Sequence, residues 1–185
     1  MAGFALVFML GTAPGATACP EAEFAKEETG SGVEWIDCEM SGFNLSGASL
    51  VNARLDGSTL TAANLSDADL RYADLYRANL NRAKLTGARL LHATLQKATL
   101  QRADMTDANL FSAKLADANL MRANLSGANL SGANLSGANM FYVNLKQANL
   151  TGADLTGADL TGARLGGAIW SDGRKCAEVS ISTCD

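Results

Sequence analysis

Ala123-Asn124-Leu125-Ser126-Gly127-Ala128-Asn129-Leu130-Ser131-Gly132 spells the same five residues twice. The period extends outward from there in both directions. A leucine returns at every fifth position from Leu45 to Leu165, replaced only by Met105 and Met140. Both replacements are apolar and unbranched. Two residues before each of these sits a small residue, nearly always alanine; Phe43, Ser58 and Val143 are the exceptions. About 25 consecutive copies fit without an insertion.

A helix repeats its apolar face every 3.6 residues and a strand every two, so a period of five suits neither. Leucines five apart on a helix would drift around its axis and never form a stripe. The pattern calls for a short extended piece followed by a turn, once per repeat. Strand alternation then sends the leucine and the small residue before it to one side. The residues between and after them are mostly Asn, Asp, Ser, Thr, Gly, Arg and Lys, as solvated turns require.

With its A-(D/N)-L-x-x motif, as in Ala153-Asp154-Leu155-Thr156-Gly157, the chain resembles the pentapeptide-repeat family over roughly two-thirds of its length. The resemblance implies an all-β solenoid, a right-handed quadrilateral β-helix in which four repeats make one coil. Leucine and alanine point inward. Coils stack at the usual strand spacing of ~4.8 Å, giving a rod on the order of 30 Å long. Such a stack needs both ends covered. The expected organisation is a signal peptide over 1–18, an N-terminal cap and degenerate first coil over 19–42, the β-helix over 43–169 and a C-terminal cap over 170–185.

Composition agrees with a narrow tube. The chain is 48% hydrophobic but only 6% aromatic, with a formal net charge of −4 and a pI near 5.0. Mild acidity argues against a general nucleic-acid binder. Gly3 to Leu10 is an uncharged apolar run, followed by Ala16-Thr17-Ala18, an A-x-A cleavage pattern. A secretory signal cleaved after Ala18 fits, although no Lys or Arg precedes the run. An apolar segment covering the first coil is the competing reading. A lipid-modified Cys19 is a third, against which Ala16 stands where a leucine is usual. The run is too short to span a bilayer. From Pro20 to Gly30 a short helix is expected, with Glu21 and Glu23 near its N-terminus. Val33, Trp35, Cys38 and Met40 already keep the five-residue register with bulkier side chains. At the other end Trp170 takes a leucine's place as a plug, and the tail folds over it.

The four cysteines lie outside the regular repeats, two near each end. An even count in an exported chain reads as disulfides, Cys19 with Cys38 and Cys176 with Cys184. Zinc competes poorly, because the pairs lack Cys-x-x-Cys spacing. His92 is the sole histidine and stands at an outward position, so no metal or catalytic partner is in view. Asp69, Asp74, Asp104, Asp154 and Asp159 occupy the repeat's Asn/Asp position, where a short polar side chain bonds nearby backbone. The glycines are turn positions, not a phosphate loop. No cofactor, no metal and no enzymatic activity are expected.

Outward residues twenty apart should stack. Arg82, Arg102 and Arg122 then form one column with Tyr142 above, and Met121 and Phe141 beside it. Arg77 and Lys97 add cations on the preceding face. Val51, Arg71, Leu91 and Phe111 form a second column of large groups. Together they suggest one mixed basic and apolar patch for an anionic partner such as an acidic protein, polysaccharide or lipid headgroup. The competing reading has Asp104 and Asp107 neutralising the arginines. The function expected is a non-enzymatic exported scaffold, structural or protein-binding, in the periplasm or a comparable oxidising compartment. The molecule is expected to be a monomer or weak dimer without nucleic acid or a stable membrane span. The alternative, implied by the resemblance, is a DNA mimic that binds DNA gyrase and protects it from quinolones. The modest charge, the signal-like start and the cysteine-bearing tail depart from that type.

Overall fold

The computed structural model describes residues 19–20 and 31–184. The expected signal segment and most of the expected helix after Pro20 lie outside them. No helix is present among the described residues. Each pentapeptide contributes one bridging residue and a two-residue turn. Parallel bridges join every Asn/Asp position to the residue twenty later, from Glu34↔Arg54 through to Asn149↔Ile169. One coil therefore consumes four pentapeptides.

In a repeat with Asn or Asp at its polar position, inside the rod, each backbone N–H has a destination, which is why the motif recurs. The leucine amide donates to the next coil, as Leu45 does to the Asn64 carbonyl at 2.7 Å. The amide of the Asn/Asp position donates back to the previous coil, as Asn64 does to Phe43 at 2.8 Å. The second turn residue donates forward, Gly47 to Ser66 at 2.8 Å, and the alanine amide closes the turn, Ala48 to Leu45 at 3.1 Å. The first turn amide is left over. The Asn or Asp side chain two residues earlier accepts from it, as in Ser136 to Asn134 Oδ1 at 2.9 Å and Thr156 to Asp154 Oδ1 at 3.0 Å.

The tube interior is leucine and alanine at zero or near-zero exposure, with Met105 and Met140 in place of leucine. Ser58 occupies an alanine position fully buried, and its hydroxyl donates to the Leu55 carbonyl at 2.6 Å. The bridge ladder begins at Glu34, so the bulkier copies form a first coil, with Trp35, Cys38 and Met40 buried. Cys19 is bonded to Cys38, which sits where alanine normally points inward. That bond consumes the Cys19 sulfur, leaving none for a lipid thioether. A second disulfide joins Cys176 and Cys184.

The tail turns back on the last coil as antiparallel partners, Ile169↔Lys175 and Arg164↔Ile181. Leu165 donates to the Ser180 carbonyl at 3.0 Å and Cys176 to Ala168 at 2.8 Å. Gly166 makes the approach possible, because a Cβ there would collide with the Glu178 carbonyl. The tail covers only part of the tube end. Leu155, Ala158 and Leu160 remain partly exposed, and the amides of Leu155, Gly157 and Leu160 make no backbone hydrogen bond among the described residues. Trp170 is half-buried rather than a full plug. Cys176, Ser180 and Cys184 of the tail are the buried residues at this end.

Candidate binding surface

The second turn residue of each repeat lies in the left-handed region, which favours glycine. The C-terminal coils use glycine there, at Gly132, Gly137, Gly152, Gly157 and Gly162. The middle coils mostly do not, Gly87 excepted. Arg77, Arg82, Lys97, Arg102 and Arg122 all hold φ between +57° and +59°. Left-handed geometry costs an L-residue roughly 1–2 kcal/mol relative to the right-handed form. These long side chains thus stand at corners of the coil, fully outside the hydrogen-bonded strips.

The bridge register places them. Arg82, Arg102 and Arg122 follow one another at twenty-residue intervals on one corner, the amide of each donating to the coil above, for example Arg102 to the Met121 carbonyl at 3.0 Å. Arg77 and Lys97 stand on the corner before it. Between the two corners runs a strip whose outward residues are Asn79, Thr99 and Asn119, all half-buried and uncharged. On these two corners over the three middle coils stand five cations and one carboxylate, Asp117. None of the five enters an ion pair among the described residues; Arg77 instead lies over the Tyr76 ring at 5.0 Å. A shallow groove of about 340 Å³ lies beside the strip, lined by Thr61, Asn79, Asn81, Arg82, Gln101 and Arg102.

Local neutralisation of the arginines is not what the carboxylates do. Burial of Asp104 opposes its ionisation. Hydrogen bonds from the Thr106 side chain and backbone, and from Thr86 and Asn124, outweigh that and hold its carboxyl below the ordinary aspartate value. Asp104 is thereby committed to its own side of the coil. Asp69 is held low chiefly by the Arg71 guanidinium, bonded at 2.7 Å, on a different corner.

The expected single patch divides in two. Leu91 and Phe111 lie ten or so residues around a twenty-residue coil from the arginine column, diagonally across the tube from it and one corner from Arg77 and Lys97. With Tyr72 and His92 they make a separate aromatic corner. The Tyr72 and His92 rings stack at 5.2 Å, and Phe111 meets His92 edge-on at 5.8 Å. Met121, Phe141 and Tyr142 do remain with the arginines, at one end of their row, Phe141 and Tyr142 packed edge to face at 4.4 Å. The strip of small polar residues between two basic corners was missed in the sequence, although the offset of five between Arg77 and Arg82 encodes it. Among the described residues no cluster of His, Cys, Asp and Glu could hold a metal ion, and no helix is long and apolar enough to cross a membrane.

The pentapeptide-repeats family model matches this chain in eight copies, over 38–75, 63–102, 73–110, 103–140 and 138–169. Among solved structures, HetL, a pentapeptide repeat protein involved in heterocyst differentiation regulation from the cyanobacterium Nostoc sp. strain PCC 7120, is 34% identical; the match covers 78% of this chain and 90% of that one, with a TM-score of 0.28. The pentapeptide repeat protein Rfr23 from the cyanobacterium Cyanothece 51142 is 30% identical over 68% of this chain and 89% of that one, TM-score 0.42. QnrB1, a plasmid-mediated fluoroquinolone resistance protein, is 20% identical over 76% of this chain and 71% of that one, TM-score 0.56, a likeness of fold. No curated protein matches.

Proposed function

Since the chain belongs to the pentapeptide-repeat family, we propose that it is a non-enzymatic rod that binds an anionic macromolecule along its basic side, as an exported protein of the periplasm or a similar oxidising compartment. The observation that carries this is the set of five cations without acidic partners, each held at a backbone position where glycine is the low-energy choice. Two disulfides favour an oxidising compartment. Four pentapeptides per coil and the family resemblance support a right-handed quadrilateral coil. Residues 1–18 act as the signal, 19–42 supply an N-terminal cap and a degenerate first coil, 43–169 form the regular rod and 170–185 cap the other end.

The test is affinity capture from the native compartment with wild type and the R82Q/R102Q/R122Q variant. Loss of the captured partner, with a salt-sensitive wild-type complex, is expected. An unchanged set of partners with unchanged salt sensitivity would overturn the assignment. A gyrase-binding DNA mimic would need rows of carboxylates where this side carries cations, and the QnrB1 likeness speaks to fold alone. A gyrase supercoiling assay with the mature protein separates the two: protection from quinolones would favour mimicry.

A further inference from the structure

The basic side is ruled along the rod as well as charged. We propose that it binds a linear polyuronate, an acidic polysaccharide lying extended along the rod axis; this rests on the binding-rod function above and names its ligand. Three observations converge on that class.

The first is spacing. Successive coils advance ~4.8 Å, comparable to the advance per sugar in an extended glycan. In a near-twofold chain the carboxylates point alternately to two sides. Carboxylates on one side then recur every second coil. Of the two parallel cation edges, Arg77 and Lys97 on one and Arg82, Arg102 and Arg122 on the other, Arg82 and Arg122 match one side of the glycan and Lys97, between them across the strip, matches the other. The second is the floor between the edges. Asn79, Thr99 and Asn119, with Asn81 and Gln101 in the adjoining groove, are amides and a hydroxyl, groups that both donate and accept as sugar hydroxyls do. Asn79 Oδ1 already accepts from Thr99 and the Asn81 amide, and Asn81 and Asn119 Oδ1 from the Gln101 and Met121 amides, so the side-chain amide N–H groups are the main donors offered to a sugar. The third is what the floor lacks. A folded protein partner would want aromatic or apolar anchors at the centre of the contact. A lipid surface would want apolar groups all along the cations, yet those beside the arginines, Met121, Phe141 and Tyr142, are confined to one end of the row, and Leu91 and Phe111 stand a corner beyond Arg77 and Lys97. Tyr142, 54% exposed, continues the arginine row by one coil and offers a ring against which a sugar can stack.

Titration calorimetry on the disulfide-bonded protein tests this with polygalacturonate and its oligomers, poly-L-glutamate and neutral dextran. Polygalacturonate should bind and weaken with salt. Affinity should rise with oligomer length and level off once the chain spans the three arginine coils. R82K/R102K/R122K keeps the charge but loses the planar fork, so it should bind about tenfold more weakly. R82Q/R102Q/R122Q should not bind, with an unchanged melting temperature as the folding control. Poly-L-glutamate binding as tightly as polygalacturonate would overturn the inference and leave a general anion-binding side. So would polygalacturonate failing to bind while the glutamine variant still loses its native partners; there the rod function survives. If the glutamine variant also keeps those partners, both assignments fall.

Discussion

Arg102 stands at φ +58° at the turn position where most repeats of the C-terminal coils carry glycine. Its side chain serves nothing inside the tube, so its removal should separate stability from binding. Arg102→Gly is expected to leave the melting temperature unchanged or raise it, by up to about 1 kcal/mol of relieved backbone strain, while weakening capture by a polyanion. A lower melting temperature would show that the guanidinium supports the fold. Inward positions behave in the opposite way. Leu95 has no exposed surface, so Leu95→Asp buries an unpaired charge and should cost several kcal/mol. Lys97→Asp, two residues on at an exposed corner, should change stability by well under 1 kcal/mol. Denaturant melts of the two variants check this, and equal midpoints would refute the register. Asp104 adds a pH dependence. Its carboxyl titrates below the ordinary aspartate value in the folded protein. The stability it contributes is therefore present above that ordinary value, ~3.9, and is lost as pH falls through the lowered folded value. Asp104→Asn should flatten the acid limb of the stability curve, read from melts across pH 2 to 5, a range of roughly the carboxylate titration.

The pentapeptide was legible from sequence because its hydrogen bonding is local and repeated: Leu inward, Ala inward, Asn or Asp closing the first turn amide. The tail was not. Its pairing with the last coil is antiparallel and aperiodic, and the one clue was a residue the repeat does not use, Gly166 where Ser or Thr is usual. Gly166→Ala should loosen the tail, because the Glu178 carbonyl occupies the space a Cβ needs. The Cys176→Ser/Cys184→Ser variant should lose roughly 2–3 kcal/mol by the loop-entropy argument, with the loss confined to the tail and final coil. Amide hydrogen exchange reads both, and also the uncovered half of that end. Leu155, Gly157 and Leu160, which donate to no backbone carbonyl among the described residues, should exchange far faster than Leu95 or Leu115 in mid-rod. Slow exchange at the three would mean that something covers them in solution.

At the scale of the molecule, a chain of net charge −4 concentrates five cations on one side of its middle coils. Columns were visible in the sequence, because twenty-residue spacing is arithmetic on the period. Their arrangement around the tube was misjudged: offsets of five are neighbours, offsets of ten are opposites, and nearness in numbering conceals the difference. The bridge from each residue to the one twenty later has a further consequence, for insertions and deletions. The surface has a reading frame of its own, distinct from that of the core. Adding one pentapeptide between Arg102 and Arg122 leaves every leucine inward and the tube intact, yet rotates everything downstream by a quarter of the circumference and breaks the arginine row. Adding four restores phase and merely lengthens the rod. Two such variants with matching melting temperatures, one blind to polygalacturonate and one still binding, would show that this fold can gain and lose length freely while its outer face tolerates only multiples of four repeats.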